Sequence, residues 1–179
     1  LADTRRTVTA LQALLANNTS GDISAQDVRD FLVSTAPAYG ALYITSSAAT
    51  TLAGASTPTK AAGTTASIGA SSDVTVSTSN RITYTGAPTV YVQVQMSCTM
   101  TCASSTQELE ISIAKNGTQV ASSVIRRKIG TGSDKGSAAT FALVSLAQND
   151  YVEAFVANNT STGAITLTKM IMGIQSILV

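Results

Sequence analysis

Thr89-Val90-Tyr91-Val92-Gln93-Val94-Gln95-Met96-Ser97-Cys98-Thr99-Met100-Thr101-Cys102-Ala103 is the stretch that decides the fold. Every even position from Val90 to Cys102 is apolar, and Gln93, Gln95, Ser97, Thr99 and Thr101 stand between them. Strand side chains alternate between two faces, so this pattern is one long strand with an unbroken apolar face. At ~3.3 Å per residue it spans on the order of 45 Å, well past an ordinary strand. Such a strand needs a wide sheet and a second layer over its apolar side.

Downstream, Leu109, Ile111 and Ile113 alternate, Lys115-Asn116-Gly117-Thr118 follows, and Val120 and Val124 resume the alternation. Asn-Gly between alternating runs predicts a hairpin, because both turn residues tolerate positive φ. The predicted register pairs Ile113 with Val120 and Leu109 with Val124, which puts all four on one face. Ile125-Arg126-Arg127-Lys128-Ile129 ends the descending strand, and Gly130 to Ser137 is a polar loop. Phe141, Leu143 and Val144 mark the next strand. After a turn at Gln148-Asn149-Asp150, Tyr151 to Ala157 carries Val152, Ala154 and Val156 on one face. Asn158 to Gly163 is a loop, and the last strand runs from Ala164 to Val179. Its apolar phase shifts between Leu167 and Met170, which predicts a bulge near Lys169. Its apolar end, Ile177-Leu178-Val179, is expected to be buried or at an interface.

Upstream, Gly86-Ala87-Pro88 turns into the long strand from a short one at Arg81 to Tyr84. Residues 46–67 are rich in Ala, Ser, Thr and Gly. Weak edge strands with long loops are preferred there over a linker, because Ile68, Val74 and Val76 soon resume strand signals. Ala41 to Thr45 is the first strand. The fold class expected is therefore mainly all-β, a jelly-roll sandwich of eight to ten antiparallel strands over residues 40–179.

Residues 1–39 read as a short helical arm. Val8, Leu11 and Leu15 make an apolar stripe at helical spacing, and a break follows at residues 17–21. Ser24 with Asp27 opens a second helix as a capping box does, and Pro37 ends it. Val28, Phe31 and Leu32 form its stripe, with Arg29 and Asp30 expected to face outward. Two such helices cannot bury their stripes alone. Val8, Leu11, Leu15, Val28, Phe31 and Leu32 are therefore the candidate docking or oligomerisation residues, with packing back onto the head as the alternative.

The chemical inventory is thin. There is no His among 179 residues, which excludes Ser-His-Asp and Cys-His nucleophiles and His metal sites. Glu108 and Glu110 sit about 7 Å apart on one strand face, a spacing two-carboxylate hydrolases can use. A solvated outer face is the expected role, because aromatics to line a sugar cleft are only 4 %. The loop at Gly130–Gly136 lacks the Gly-Lys-Ser/Thr order of a phosphate loop. Arg126, Arg127 and Lys128 divide between two strand faces, which dilutes a basic patch. Cys98 and Cys102 lie roughly 13 Å apart along one strand, where a disulfide needs less than about 7 Å. Buried free thiols are expected. The net charge of +1 and 12 % charged residues argue against a nucleic-acid partner. No apolar run reaches the ~18 residues of a membrane span. Signal-peptide features are missing from the first residues. No cofactor, metal, membrane or nucleic-acid partner is expected, and no enzymatic activity.

The order of these features resembles the tumour necrosis factor-like jelly roll, also seen in complement globular heads. The residues that carry the resemblance are Lys115-Asn116-Gly117, Phe141-Ala142-Leu143-Val144-Ser145-Leu146, Asn149-Asp150-Tyr151-Val152-Glu153 and Met170 to Val179. The run Thr7 to Ser34 looks like segments that precede such heads in structural proteins of tailed bacteriophages. The resemblance implies a homotrimer on a virion, assembled in the host cytoplasm. It also implies an apolar threefold seam, expected to draw on Met170, Met172, Ile174 and Ile177. The expected role is a capsid decoration, cement or short head-fibre protein partnered by a major capsid protein or another virion protein. The alternative is a tail-fibre or spike tip that binds a host-surface glycan or protein. Its distal loops would use Ser133, Asp134, Lys135, Asn158 and Asn159.

Overall fold

A computed structural model describes residues 6–15, 23–130 and 134–177. Two helices come first, α1 (Val8–Leu15) and α2 (Ala25–Thr35). The strands follow in order: β1 (Tyr39–Ser47), β2 (Ala49–Thr50), β3 (Thr59–Lys60), β4 (Gly63–Ser67), β5 (Val74–Ser77), β6 (Arg81–Tyr84) and β7 (Val90–Cys102). After these come β8 (Gln107–Lys115), β9 (Thr118–Gln119), β10 (Ile125–Ile129), β11 (Gly136–Leu146), β12 (Tyr151–Asn158) and β13 (Ile165–Ile177). Residues 46–67 thus hold short edge strands and loops, as expected, and β11 begins at Gly136, inside the loop expected to run to Ser137.

Two antiparallel sheets form the sandwich. The first, sheet A, has the order β11-β7-β13-β1-β4, with β2 on β13. The second, sheet B, has the order β10-β8-β12-β6-β5, with β3 on β12 and β9 on β8. The long strand β7 lies between β11 and β13 and pairs along nearly its whole length with both. Its even positions from Val92 to Cys102 are buried against Leu109, Ile111 and Ile113 of β8 and Val152, Ala154 and Val156 of β12. Each such side chain contributes about 1.5–3 kcal/mol by leaving water. The bulge in β13 falls between Leu167 and Lys169, where the register to β7 shifts.

The Asn-Gly turn is present, with φ of 50° at Asn116 and 77° at Gly117. Ile113 accepts from Val120 N at 2.8 Å, as the predicted register requires. The second predicted pair is corrected. A 3-10 turn at Ala121–Ser123 interrupts the descending strand, and Ile125 resumes opposite Ile111, so Leu109 faces Arg127 and not Val124. The side chain of Ser123 replaces the lost ladder. Its Oγ accepts from Ile113 N at 2.9 Å and lies 2.7 Å from the Val120 carbonyl as a donor.

The capping box of α2 is formed by Ser24 and Asp27. Asp30 does not face outward. It is buried, because Arg6 Nε donates to its Oδ2 at 2.8 Å and Gln26 Nε2 to its Oδ1 at 2.8 Å. Arg6 N also donates to Ser34 Oγ at 2.7 Å, so the segment leading into α1 is tied to α2 by polar groups. The arm joins the sheet where Ala38 N donates to Ser176 Oγ and Ser176 N to Ala38 O, both at 2.8 Å. That is the end of β13 nearest Ile177. At the other end of β13, Ile165 pairs with Cys102, beside the loops at residues 103–106 and 159–164.

Candidate functional site

The two outer faces of the sandwich differ sharply. On sheet B, β8 and β12 are buried on both sides. Glu153 is held by Lys60 Nζ at 2.5 Å and Arg81 Nη2 at 2.9 Å, and Arg81 lies 3.8 Å from the Tyr151 ring centroid. Glu110 accepts from Gln119 Nε2 at 2.8 Å, Arg126 Nε at 3.1 Å and Asn159 Nδ2 at 3.3 Å. The expectation of a solvated Glu108–Glu110 face is therefore corrected at Glu110, which is sealed beneath its partners, while Glu108 is exposed. Buried carboxylates need such pairing, since an unpaired one is costly.

Sheet A carries the opposite arrangement. Its outward side chains include Phe141 (63 % exposed), Leu143 (58 %), Tyr91 (54 %) and Ile171 (50 %), with Tyr43, Tyr39 and Ile177 close behind. Register arranges them in rows across the strands. Phe141 faces Gln95, which faces Gly173, which faces Ala41. Leu143 faces Gln93, then Gln175, then Tyr39. Ser97 faces Ile171, then Tyr43. Small residues and amides thus floor a middle strip with large apolar groups around it. A hollow of about 470 Å³ lies over this strip, lined by Tyr39, Ala41, Ile68, Gln95, Gly173 and Gln175 among others. A second hollow of about 550 Å³ lies beside Tyr43, Ser97 and Ile171. Gly173 keeps the first one open: a Cβ there would stand 3.3 Å from that of Ala41. An apolar face of this kind, bordered by bulky groups, is characteristic of protein–protein contact.

The residues expected from the sequence to form a seam do not share one face. Met170, Met172 and Ile174 are buried between the sheets, because the bulge at Thr168 turns the even positions inward from there on. Ile177 alone of the four is exposed. The outward residues Tyr43, Tyr91, Phe141, Leu143 and Ile171 were missed by sequence reasoning. Their signal is an apolar side chain in the polar phase of an alternating strand.

On the arm, Val28, Phe31 and Leu32 are exposed and Leu11 is buried. The side chains of Val8 and Leu15, and residue Ser133, lie outside the described residues. Asp134 and Lys135 are exposed, and Asp134 Oδ2 accepts from Gly130 N at 3.1 Å. Asn158 is not a surface ligand group. It is fully buried, its Nδ2 donating to Gln107 Oε1 at 3.0 Å and to the Gly163 carbonyl at 3.1 Å. Its Oδ1 accepts from Thr160 N at 3.0 Å and Ser161 N at 3.1 Å. Asn159 likewise turns back to Glu110. The loop end that was expected to bind a ligand is thus organised by Asn158 from within, and it stands opposite the arm.

Cys98 and Cys102 are buried free thiols, and burial pushes the Cys98 thiol up to about 11. Among the described residues, no three His, Cys, Asp or Glu side chains gather as metal ligands would.

No protein-family profile matches the chain, and no curated protein sequence matches it. Solved structures do. Murine APRIL at pH 5.0 superposes with a TM-score of 0.50 at 10 % identity, over 78 % of this chain and 99 % of that one. Eiger TNF from S. frugiperda gives 0.45 at 10 % identity, over 78 % and 93 %. At this identity the first likeness speaks for the fold, a tumour necrosis factor-like jelly roll, and the second carries no weight beyond it.

Proposed function

We propose that this chain is a non-enzymatic structural protein of a virion, a homotrimer joined through the outer face of sheet A and docked on the capsid by its helical arm. The observation that carries the reading is the contrast between the faces: sheet B is closed by its own ion pairs, and sheet A leaves large apolar side chains exposed around a strip of glutamines and small residues. Phe141 and Leu143 rise on the β11 side of that face, and the hollow at Gly173 lies toward β1. A projection on one side and a recess on the other fit a head-to-tail contact, which closes into a ring when the rotation is a third of a turn. A stable contact of this type needs roughly 800 Å² per partner. The arm supplies the second contact. Its exposed Val28, Phe31 and Leu32 lie on α2 and suit a groove on a shell neighbour. Burial that exists only in the assembled shell stabilises that shell by mass action.

Sedimentation of the purified chain tests the first half, with three copies expected and a monomer at micromolar concentration counting against it. Antibody labelling of virions tests the second, with label expected on heads. The second reading, a receptor-binding tip, draws on one observation: Asp134 and Lys135 are exposed at the end opposite the arm. Label on tail tips, or adsorption blocked by the free protein, would favour it.

A further inference from the structure

The Asn116–Gly117 turn combines a reactive dipeptide with an unusual degree of restraint. In an Asn-Gly pair the glycine nitrogen is unshielded and can attack the asparagine side chain. Gly117 N bonds to Asn116 Cγ, the Cγ–Nδ2 bond breaks, and ammonia leaves with the amide proton. Water then opens the cyclic imide at either carbonyl, leaving aspartate or isoaspartate. No oxidant or other reagent takes part.

Here the side chain is gripped at both ends. Asn116 Nδ2 donates to Asp150 Oδ1 at 2.7 Å, and Tyr151 N donates to Asn116 Oδ1 at 2.9 Å. Asn116 N also donates to Tyr151 O at 3.0 Å. The charged groups around the turn are Asp150 and Lys115, whose Nζ lies 2.9 Å from Asp150 Oδ2, with Arg81 against the ring of Tyr151. Rotating the Asn116 amide toward Gly117 N requires both grips to be released.

We propose that Asn116 is a latent deamidation site, held shut by Asp150 and the Tyr151 amide, and that its conversion sets two carboxylates against each other and loosens the junction of the hairpin with the 147–150 turn. An aspartate at 116 would place an acceptor where Nδ2 now donates to Asp150, and like charges at hydrogen-bond distance repel unless one is protonated.

The test uses the full chain incubated in mildly alkaline buffer, with peptide mapping by mass spectrometry, beside a free peptide spanning residues 112–121. The folded wild type should convert at Asn116 far more slowly than the peptide. Asp150→Ala should speed it by about tenfold or more, the worth of a hydrogen bond to a charged group. Wild type converting as fast as the peptide, or Asp150→Ala no faster than wild type, overturns the proposal. Should Asp150→Ala fail to fold, Asn116→Asp decides. Its loss of melting temperature relative to wild type should shrink between neutrality and about pH 4, as one of the paired carboxyls takes a proton. An equal loss at both overturns it.

Discussion

Ile171 of β13 and Tyr43 of β1 are cross-strand partners, and both side chains stand half out of sheet A on the side away from the core. Ile171→Arg should therefore leave the fold intact and abolish self-association. One buried, unpaired charge in an interface costs about 3–5 kcal/mol, enough to give monomers at micromolar concentration. Sedimentation with circular dichroism checks both halves, and an unchanged trimer would remove this face from the interface.

Filling the recess at Gly173 gives an independent check. Gly173→Leu should weaken association, at some cost in monomer stability because the new Cβ would crowd that of Ala41 at 3.3 Å. Phe141→Ser should act from the opposite side of the face. Light scattering across a dilution series separates these effects.

Ser123→Ala should cost about 1–3 kcal/mol, because it leaves the Ile113 N–H buried without an acceptor. Urea unfolding should show a lower midpoint at unchanged slope. Val124→Ala, which does not face Leu109, should cost less.

Acid stability should depend on Asp150. Hydrogen bonds from Asn116 and Lys115 and from Ala147 N hold its carboxyl down to about 2 from the usual 3.8. The folded state thus binds the proton less readily than the unfolded chain does. Its contribution is complete above about pH 4 and is lost as pH falls through about 2. Asp150→Asn should flatten that part of a stability–pH profile, and an unaltered slope would show that the group plays no part in it.

Both thiols should resist an aqueous disulfide reagent in the folded protein and react fully in guanidinium. The high value at Cys98 leaves almost no thiolate at neutrality. Rapid labelling under native conditions would mean that the sandwich opens locally near β7.

Period-two alternation carried most of the architecture. In β7 it marked every inward side chain, in β13 it located the bulge, and at Asn116–Gly117 the turn chemistry fixed the hairpin. What alternation cannot register is which sheet faces stay bare, because that depends on partners brought from elsewhere in the chain. Glu110 is sealed by Arg126 and Asn159, and Asp30 turns inward because Arg6, 24 residues away, reaches it. The same limit explains the residues expected at a seam: Met170, Met172 and Ile174 are apolar for the interior, and the outward Ile171 was overlooked between them. Asn158 looked like a loop-tip ligand because a buried amide network leaves no periodic trace.

The ion pairs over Glu110 and Glu153 have an effect beyond holding their own sheet. They leave the subunit a single face for the contact between copies proposed above. If copies join by that face as proposed, a closed ring has nothing left to offer a newcomer, so growth ends with a small, countable particle. Were the lids over those two carboxylates removed, the closed flank would instead carry two unpaired negative charges, costly to bury and repelled by the same flank of another copy.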